Sequence, residues 1–356
     1  MADPGGHAPA VPALELRRVP TVALGGDTML GRLVGDALRS RPAAAPWSEE
    51  LLEVFGEADL AIVNLECCIS ERGSPWDPAH KPFHFRAPPQ AVETLAAAGV
   101  RAVWLANNHA LDYGPDALLD TFEHLARAGI AWAGAGRDLE EARRSAVIEA
   151  AGVRIGLVGL ADHPADFAAA PDRPGIAFAD LAADAAPGWL LDQVRRLRQS
   201  CDLVVVGPHW GPNMLPEPRP HHPRIARQLL AAGAAAVAGH SAHVFQPFEV
   251  ADGRPILYDL GDLLDDYAVD EVLRNDLGVL ALWRPGERLE LVPLKLEFCF
   301  TDLARGDDHA WVVRRLLAGA RAQGREAQLR SGRVVVSLDR GTSVRDVRAS
   351  LAGTSG

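Results

Sequence analysis

The chain alternates short, continuous runs of Val, Ile, Leu and Ala with longer segments in which apolar residues recur at helical spacing. A parallel strand that is buried on both faces needs such a continuous run, so the runs predict buried parallel strands. They are TVALGGD, DLAIVNLE, AVWLANN, VRIGLVGL, DLVVVGPHW and AAAVAGH. The predicted helices are QAVETLAAAG, PDALLDTFEHLARAG, GWLLDQVRRLRQS and PRIARQLLAAG. Their alternation indicates a series of βα units.

The pattern changes beyond these units. PILYDLGD, GVLALWR and LELVPLKLEF predict consecutive strands joined by turns that contain Gly and Pro. HAWVVRRLLAGARAQG predicts an amphipathic helix, and RVVVSLD predicts a short final strand. Together these elements predict an α/β fold in which helices pack against two layers of sheet. We expect a flexible segment over 1–18, a domain over 19–300, and a C-terminal helix, strand and loose tail over 301–356 packed on that domain.

Composition narrows the possible functions. With 356 residues, 48% of them hydrophobic, the chain can bury a sizeable core in one large domain or two smaller ones. Its 36 basic and 47 acidic residues give a formal net charge of -11, which argues against a general nucleic-acid-binding protein. The four cysteines form no CxxC pattern, which favours a reducing compartment, and we expect the adjacent Cys67 and Cys68 to be small core residues.

The sequence predicts no membrane span. The first residues are rich in Ala, Pro and Gly and have neither a basic region nor a sustained apolar core, so they do not resemble a signal peptide. The longest apolar stretch, Leu229 to Ala238, is much shorter than the roughly 20 residues that cross a bilayer. We therefore expect a cytoplasmic protein.

Side chains that can bind metals follow the predicted strands directly. They are Asp27, Glu66, Asn108, His109, His209, His240 and His243. In open α/β folds, ligands bind in the crevice at the carboxyl ends of the strands. Carboxylates, an amide and several imidazoles at such positions predict a metal centre assembled from distant parts of the sequence. Structural alternatives remain for each residue: Asp27 as a turn carboxylate, Glu66 and Asn64 as a capping pair, and each His as an ordinary buried residue.

Six motifs occur in order between about Val19 and Phe300: GD, NLE, NNHxxDYG, HWG, GHSAHVxQ and YDLGD. This set resembles the poly-γ-glutamate capsule biosynthesis protein family known as CapA, which is similar to the calcineurin-like metallophosphoesterases. The resemblance implies a four-layer α/β/β/α metallophosphoesterase-like sandwich with two divalent metal ions at the sheet edges. In many calcineurin-like enzymes the first motif is Asp-x-His, and here Met29 stands where that His would be.

The motifs imply a set of metal ligands, namely Asp27, Glu66, Asn108, His209, His240 and His243. Glu66 is suited to bridge two ions, because a hard anionic oxygen supplies the shared negative charge that such a pair needs. Asn64 is either a neutral ligand or an orienting residue, and Asn107 is expected to orient its neighbours. Asp262 stands where the family more commonly has Asn; it either supports the ligands or alters the metal preference. The donor set suits Mn, Fe, Zn or Mg.

The resemblance also implies catalytic roles. The amide of Asn108 would bind metal, while His109 would face the substrate as an electrophile or a general acid. Asp112 either holds the His109 ring by accepting its other N–H, or caps the helix that begins near Pro115.

Two further segments are candidates for substrate contact. Within the long loop Glu71–Pro89, the side chains of Lys81, His84 and Arg86 would meet an anionic substrate, unless this is an ordinary surface loop. His221 and His222 lie in a Pro-rich segment and are expected at the surface or at the rim of the substrate site.

Two classes of function are compatible with these features. The first is a metal-dependent hydrolase whose binuclear centre activates a water to cleave a phosphoester or a γ-glutamyl amide bond. The second is a non-hydrolytic, metal-binding accessory of γ-glutamyl polymer synthesis. Both bond types need an activated water and stabilisation of an oxyanion, so the sequence leaves the bond type open, and it carries no indication of oligomeric state.

Overall fold

The computed structural model of the protein describes residues 18–77, 79–181 and 185–338. Most of the segment predicted to be flexible, 1–18, and the predicted loose tail after 338 lie outside the described residues. Within the described ranges the helices are α1 (Arg32–Leu38), α2 (Glu49–Gly56), α3 (Ala91–Ala97), α4 (Gly114–Arg127), α5 (Leu139–Ala142), α6 (Gly188–Ser200), α7 (His222–Ala232) and α8 (Gly306–Ala322).

The strands follow the predicted runs closely in the first two thirds of the chain. These strands are β1 (Val22–Thr28), β2 (Leu60–Leu65), β3 (Cys68–Ile69), β4 (Arg86–Ala87), β5 (Val100–Trp104), β6 (Ala131–Ala133), β7 (Ala135–Gly136), β8 (Ala146–Ala150), β9 (Val153–Ala161), β10 (Gly175–Ile176), β11 (Leu203–His209) and β12 (Ala236–Ala238). The remaining strands are β13 (Phe248–Ala251), β14 (Arg254–Leu257), β15 (Asp262–Leu264), β16 (Leu277–Arg284), β17 (Arg288–Glu297), β18 (Phe300–Leu303), β19 (Ala327–Arg330) and β20 (Arg333–Ser337).

Most of these strands form two sheets. The first has the order β19-β20-β17-β16-β1-β2-β5-β6, with β15 beside β1 and β18 beside β17. Its strands β1, β2, β5 and β6 run parallel, whereas β16, β17 and β20 run antiparallel to their neighbours. The second has the order β13-β14-β12-β11-β9-β8, with parallel strands in the middle and antiparallel strands at both edges.

Alternate side chains divide the interior into three cores. In β1, Val22 and Leu24 face the core between the two sheets, while Ala23 faces the core beneath α1 to α4. In β11, Val205 faces the first sheet, while Val204 faces the core beneath α6 and α7. Because successive residues of a strand point to opposite faces, this division gives helices, sheet, sheet and helices in order. The predicted four-layer α/β/β/α sandwich is confirmed.

Trp104 and Gly207 show how closely the sheets approach. Trp104, at the end of β5, is fully buried between them. A Cβ on Gly207 of β11 would lie 2.3 Å from the Trp104 ring, so only glycine fits at this point. The Trp104 ring is also 5.8 Å from the ring of His240, centre to centre. This packing holds the carboxyl ends of strands from both sheets next to each other.

Two of the predicted consecutive strands, GVLALWR and LELVPLKLEF, form the antiparallel pair β16 and β17. PILYDLGD instead forms two strands in different sheets, β14 in the second and β15 in the first. The chain crosses between the sheets at Gly261, which has a φ of +73°. A Cβ on Gly26 would lie 1.8 Å from the Gly261 carbonyl oxygen, so a side chain at residue 26 would block this crossing.

Candidate metal centre

The carboxyl ends of strands from both sheets meet at one site. In the first sheet, Asp27 of β1 is the register partner of Asn64 of β2 and of Asp262 of β15. In the second sheet, His209 ends β11 and forms a β-bridge with His240. All five residues are buried. Strand pairing therefore brings together side chains that lie far apart in the sequence.

The first group of candidate ligands comprises Asp27, Glu66, His243 and Asp262, each offering one ligand atom within 4.8 Å of the others. His243 Nδ1 lies 2.8 Å from Asp262 Oδ1 and 3.5 Å from Asp27 Oδ2. Its Nε2 lies 3.9 Å from Glu66 Oε1. His243 has a φ of +58°, a strained conformation for a residue with a side chain, and such strain recurs at functional sites.

The second group contains Asp27 again, together with His209 and His240. The Nδ1 atoms of the two histidines lie 4.0 and 3.8 Å from Asp27 Oδ1 and 2.9 Å from each other. Asn108 Oδ1 lies 3.0 Å from His209 Nε2, which connects this group to the NNH motif. The two groups thus share Asp27, whereas Glu66 belongs to the first alone. Asp27 is thus the residue common to both groups, whereas the bridging role expected for Glu66 stays a prediction.

Three buried atoms of these groups have no hydrogen-bond partner among the described residues: Glu66 Oε1, His240 Nε2 and Asp262 Oδ2. Buried polar atoms are nearly always paired, so three unpaired ones at one site call for a partner. Carboxylate oxygens and imidazole nitrogens are ligands of Mn, Fe and Zn, and the oxygens also suit Mg. The donor set fits divalent cations.

Burial dominates the protonation of the site. It raises the pKa of Asp27 and of Glu66 above their usual values. It lowers the pKa of His209 well below its usual range and that of His240 to about 3. Burial also lowers the pKa of His243, but the carboxylates of Glu66 and Asp27 outweigh it and raise the pKa overall. A cation would stabilise the ionised carboxylates and the neutral imidazoles that metal binding requires.

His109 lies at the edge of the first group, with its Nε2 4.0 Å from Glu66 Oε1. Its Nδ1 lies 2.6 Å from Asp112 Oδ2, and its ring stacks on Phe85 with centres 3.9 Å apart. Burial lowers the pKa of His109 and raises that of Asp112 to about 7. Of the two alternatives for Asp112, the structure supports the contact with His109, because α4 has Tyr113 at its N-cap and no side-chain cap.

Two asparagines connect the ligands to His109. Asn64 Nδ2 donates to Asp27 Oδ1 at 2.6 Å, and Asn107 Nδ2 donates to Asn64 Oδ1 at 3.1 Å. Asn107 Oδ1 in turn accepts the backbone N–H of His109 at 3.0 Å. Both asparagines are fully buried. This chain of hydrogen bonds orients the shared carboxylate and the imidazole relative to each other.

The structure brings one of the three predicted substrate-binding residues to the site. Lys81 Nζ lies 3.2 Å from Asp112 Oδ1 and donates to the backbone oxygen of Asn108 at 2.9 Å. Its side chain is 20% exposed, so the ammonium lies between the site and the solvent. Lys81 therefore places positive charge beside the His109–Asp112 pair.

His84 and Arg86 do not make comparable contacts. His84 Nε2 lies 2.7 Å from the backbone oxygen of Trp76, within the same loop. Arg86 donates to the backbone oxygen of Arg72 at 3.0 Å, and its guanidinium lies 4.1 Å from the centre of the Tyr113 ring. These contacts hold the loop together.

The sequence patterns do not identify Tyr267 as a site residue. Its hydroxyl donates to Glu66 Oε2 at 3.2 Å, and its ring lies 5.2 Å from that of His243. Asp259 also supports the site, because its Oδ2 accepts the N–H of Ala242 at 2.7 Å, in the loop that carries His243. Both residues belong to YDLGDLLDDY, where the density of carboxylates after a strand is the available indication.

A third group of ligand-type atoms comprises Asp162, His221 and His222. His222 was expected at the surface or rim, and this expectation is wrong. It lies at the start of α7, is 1% exposed, and stacks on Trp210 with ring centres 4.4 Å apart. Burial lowers its pKa to about 4, so the ring is neutral near pH 7.

The four-layer sandwich, with candidate metal ligands at its strand ends, is a metallophosphoesterase-like fold. Residues 21–267 match the family described as "Bacterial capsule synthesis protein PGA_cap". The protein belongs to this family, which confirms the resemblance to CapA proteins. The matched range contains all the residues of the two ligand groups.

Several known sequences are similar over most of the chain. The "Probable polyglutamine synthesis accessory protein" of Mycobacterium tuberculosis (strain H37Rv) is 34% identical over 346 residues, which cover 83% of this chain and 89% of that protein. The "PGA biosynthesis protein CapA" of Bacillus subtilis is 28% identical, with 76% of this chain and 70% of that one covered. The "Capsule biosynthesis protein CapA" of Bacillus anthracis is also 28% identical, over 78% and 67%.

Among solved structures, a hypothetical protein from Thermus thermophilus matches 79% of this chain and 96% of its own, with 17% identity and a TM-score of 0.41. In the part of the chain that the structure describes, no helix has both the length and the apolar composition of a membrane span.

Proposed function

We propose that this protein is a metal-dependent hydrolase whose two divalent ions are held by the two ligand groups that share Asp27. The supporting observation is that each group contains a buried atom without a hydrogen-bond partner in the described part of the chain, Glu66 Oε1 in one and His240 Nε2 in the other. The proposed ligands are Asp27, Glu66, Asn108, His209, His240, His243 and Asp262.

When bound, the ions would supply an activated water and positive charge for the oxygen that becomes negative as the bond breaks. The surrounding residues keep the ligands in place. Asn64 holds Asp27 through a hydrogen bond of 2.6 Å, and Tyr267 holds Glu66 through one of 3.2 Å. Hydrogen bonds of this kind limit the movement of a ligand and raise metal affinity.

His109 is the proposed general acid, and Asp112 is its partner. Because Nδ1 contacts Asp112 at 2.6 Å, Nε2 is the nitrogen that faces the ligand group. Burial and Lys81 lower the pKa of His109 and so oppose the protonated ring that this role needs. The carboxylate of Asp112 favours the protonated ring, and Lys81 balances the charge of that carboxylate at 3.2 Å. The imidazolium then delivers its Nε2 proton to the leaving group. Phe85 covers one face of the ring and keeps it in this orientation.

The substrate proposed is an anionic molecule with a phosphoester or a γ-glutamyl amide bond, since Lys81 adds positive charge beside the ions. The test combines metal analysis of protein purified without chelator with hydrolysis of an aryl phosphodiester and of a γ-glutamyl peptide. We expect up to two metal equivalents, and turnover that EDTA and Asp27→Asn both abolish. Turnover that is equal in the wild type and in Asp27→Asn contradicts the proposal.

The alternative is a metal-binding accessory without hydrolytic activity. The name of the mycobacterial relative, a probable accessory protein of polyglutamine synthesis, favours it. The same experiment separates the two functions, because bound metal without turnover of either substrate supports the accessory role.

A further inference from the structure

Arg32 ends the GDTMLGR motif and is the first residue of α1. Its φ is +50°, a conformation that is strained for a residue with a side chain. The preceding Gly31 packs against β4, since a Cβ there would lie 2.8 Å from the backbone nitrogen of Arg86. The close contact with β4 thus holds the chain where Arg32 must take the strained conformation. Strain of this kind is retained where a side chain has to be aimed at a particular place.

The Arg32 guanidinium lies over three aromatic rings. Its Cζ is 5.9 Å from the ring centre of Phe83, 5.7 Å from that of Phe85 and 5.9 Å from that of Tyr267. These distances are within the range of cation–π attraction. We call this arrangement of one cation and three rings the Arg32 shelf. It holds the cation in place without using its N–H donors.

The shelf borders the candidate metal centre through two of its rings. Phe85 stacks on His109 with centres 3.9 Å apart, and Tyr267 donates to Glu66 Oε2 at 3.2 Å. Phe85 therefore lies between the guanidinium and His109, the proposed general acid. Tyr267 lies between the guanidinium and Glu66, a proposed ligand. The third ring, Phe83, is 59% exposed, so the shelf opens to solvent.

Among the described residues, Arg32 makes one ion pair, between its Nη2 and Oδ1 of the buried Asp266 at 3.3 Å. Its other N–H donors make no hydrogen bond to the described residues and are available to a ligand. The side chain of Arg32 is 36% exposed. A guanidinium presents five N–H donors in a planar fork that matches the two oxygens of a carboxylate or phosphate.

We propose that the Arg32 shelf is an oxyanion-binding subsite for the substrate. In a γ-glutamyl chain the group bound would be the α-carboxylate next to the γ-amide; in a phosphoester it would be a phosphate oxygen. The inference rests on the proposed function, because that function defines the reaction of the bound molecule at the neighbouring metal centre. The binding of the anion is a separate property that can be measured without turnover.

The test compares Arg32→Gln with Arg39→Gln, a control at the other end of α1 whose side chain is 50% exposed and pairs with Glu71. Calorimetry would measure the binding of tri-γ-glutamate, of the same peptide with its α-carboxylates converted to amides, and of phenyl phosphate. We expect Arg32→Gln to weaken binding about 10- to 100-fold, as for a lost charge-assisted hydrogen bond. Arg39→Gln should stay within about twofold of the wild type, and Arg32→Lys should be intermediate because lysine lacks the planar fork.

The ligands separate the two sources of the anion. Loss of affinity for tri-γ-glutamate but not for its amide form assigns the subsite to an α-carboxylate, and loss for phenyl phosphate assigns it to a phosphoester. Equal affinities of Arg32→Gln and Arg39→Gln for all three ligands, or no binding by the wild type, overturn the subsite. Circular dichroism melting of both variants shows whether the fold is retained.

The same variants distinguish failure of the subsite from failure of the hydrolase. If binding depends on Arg32 but the wild type shows no turnover, the subsite is supported and the hydrolase function is contradicted. If the wild type shows turnover and Arg32→Gln leaves KM unchanged, the hydrolase function is supported and the subsite is contradicted.

Discussion

Asp27 and Asp262 are register partners on the adjacent parallel strands β1 and β15, and both side chains are buried. Burial raises the pKa of Asp262 well above its usual value, and the neighbouring Asp265 and Asp27 raise it further. His243 is the one imidazole near both carboxylates within the first ligand group, 2.8 Å from Asp262 and 3.5 Å from Asp27. Two buried carboxylates side by side are costly unless a cation balances them.

Metal loading should therefore stabilise the protein. We expect thermal unfolding of chelator-treated protein to shift upward when Mn²⁺ or Zn²⁺ is added, with about 2.7 kcal/mol of unfolding free energy for each bound ion at a concentration of 100 times its Kd. In Asp27→Asn the shift should vanish, because both ligand groups lose their shared member. In Asp262→Asn at least part of it should persist, since the second group is intact. Equal metal contents in Asp27→Asn and the wild type would show that Asp27 is no ligand.

Replacement of His109 should separate chemistry from metal binding. We expect His109→Ala to retain its metal while kcat falls about 10²–10⁴-fold, as for loss of a general acid. The matched control is His84→Ala, because His84 contacts the loop and not the ligand groups; its metal content and kcat should stay near those of the wild type. Metal analysis and steady-state kinetics on the same preparations check both. Loss of metal in His109→Ala with the fold intact would make His109 a ligand.

Lys81 should contribute to the binding of an anionic substrate. We expect Lys81→Ala to raise KM more than it lowers kcat, and the difference from the wild type to shrink at high salt, because a partly exposed cation is screened. Arg86→Ala should change both constants less than Lys81→Ala does, since its contacts lie within the loop and with Tyr113. A fall in kcat alone would mean that Lys81 acts only through Asp112.

Asp276 anchors a charge network that contains none of the proposed metal ligands. It accepts hydrogen bonds from Arg274 at 2.8 and 2.9 Å and one from Lys295, and its side chain is 3% exposed. Burial raises the pKa of Asp276, but these hydrogen bonds outweigh it and lower the pKa below its usual value. The stabilisation is therefore present above the unfolded-state pKa of about 3.9 and is lost as pH falls through the lower folded-state pKa.

We accordingly expect Asp276→Asn to lower the unfolding free energy at pH 7 by about 1–3 kcal/mol. The difference from the wild type should shrink in denaturant titrations below about pH 4. Glu123→Gln is the control, because Glu123 and its partner Arg127 are 58% and 68% exposed; its effect should be within about 0.5 kcal/mol. A pH-independent difference for Asp276→Asn would exclude its charge as the cause.

The hydrophobic pattern of the sequence predicted which strand ends carry much of the candidate metal centre. TVALGGD, DLAIVNLE and DLVVVGPHW are continuous apolar runs, and they form the core of β1, β2 and β11. Because parallel strands end at the same edge of a sheet, Asp27 and Glu66 could be expected near each other from the sequence, whereas His209 ends a strand of the second sheet and meets them only through the packing of the two sheets. The residue types at those ends, oxygen and nitrogen donors, also indicated a divalent metal before any contact was known.

Which ligands belong together depended on the pairing of strands that are distant in sequence. Asp27 belongs to both ligand groups. Asp262 joins it in the first group because β15 lies beside β1. That pairing requires the chain to cross between sheets at Gly261, past Gly26. A glycine in a sequence marks many possible turns, so the pattern of PILYDLGD did not distinguish this crossing from one continuous strand.

Aromatic contacts around the centre were decided by packing alone. Tyr267 reaches Glu66 across a separation of 201 residues, and Arg32 meets Phe83 and Phe85 of one loop and Tyr267 of a distant segment. Hydrophobic periodicity records which face of an element is buried, and it carries no information about which distant side chain fills the space opposite. The strand ends and their donor atoms therefore followed from the sequence, whereas the shared carboxylate and the aromatic surroundings followed from how the two sheets and their loops pack together.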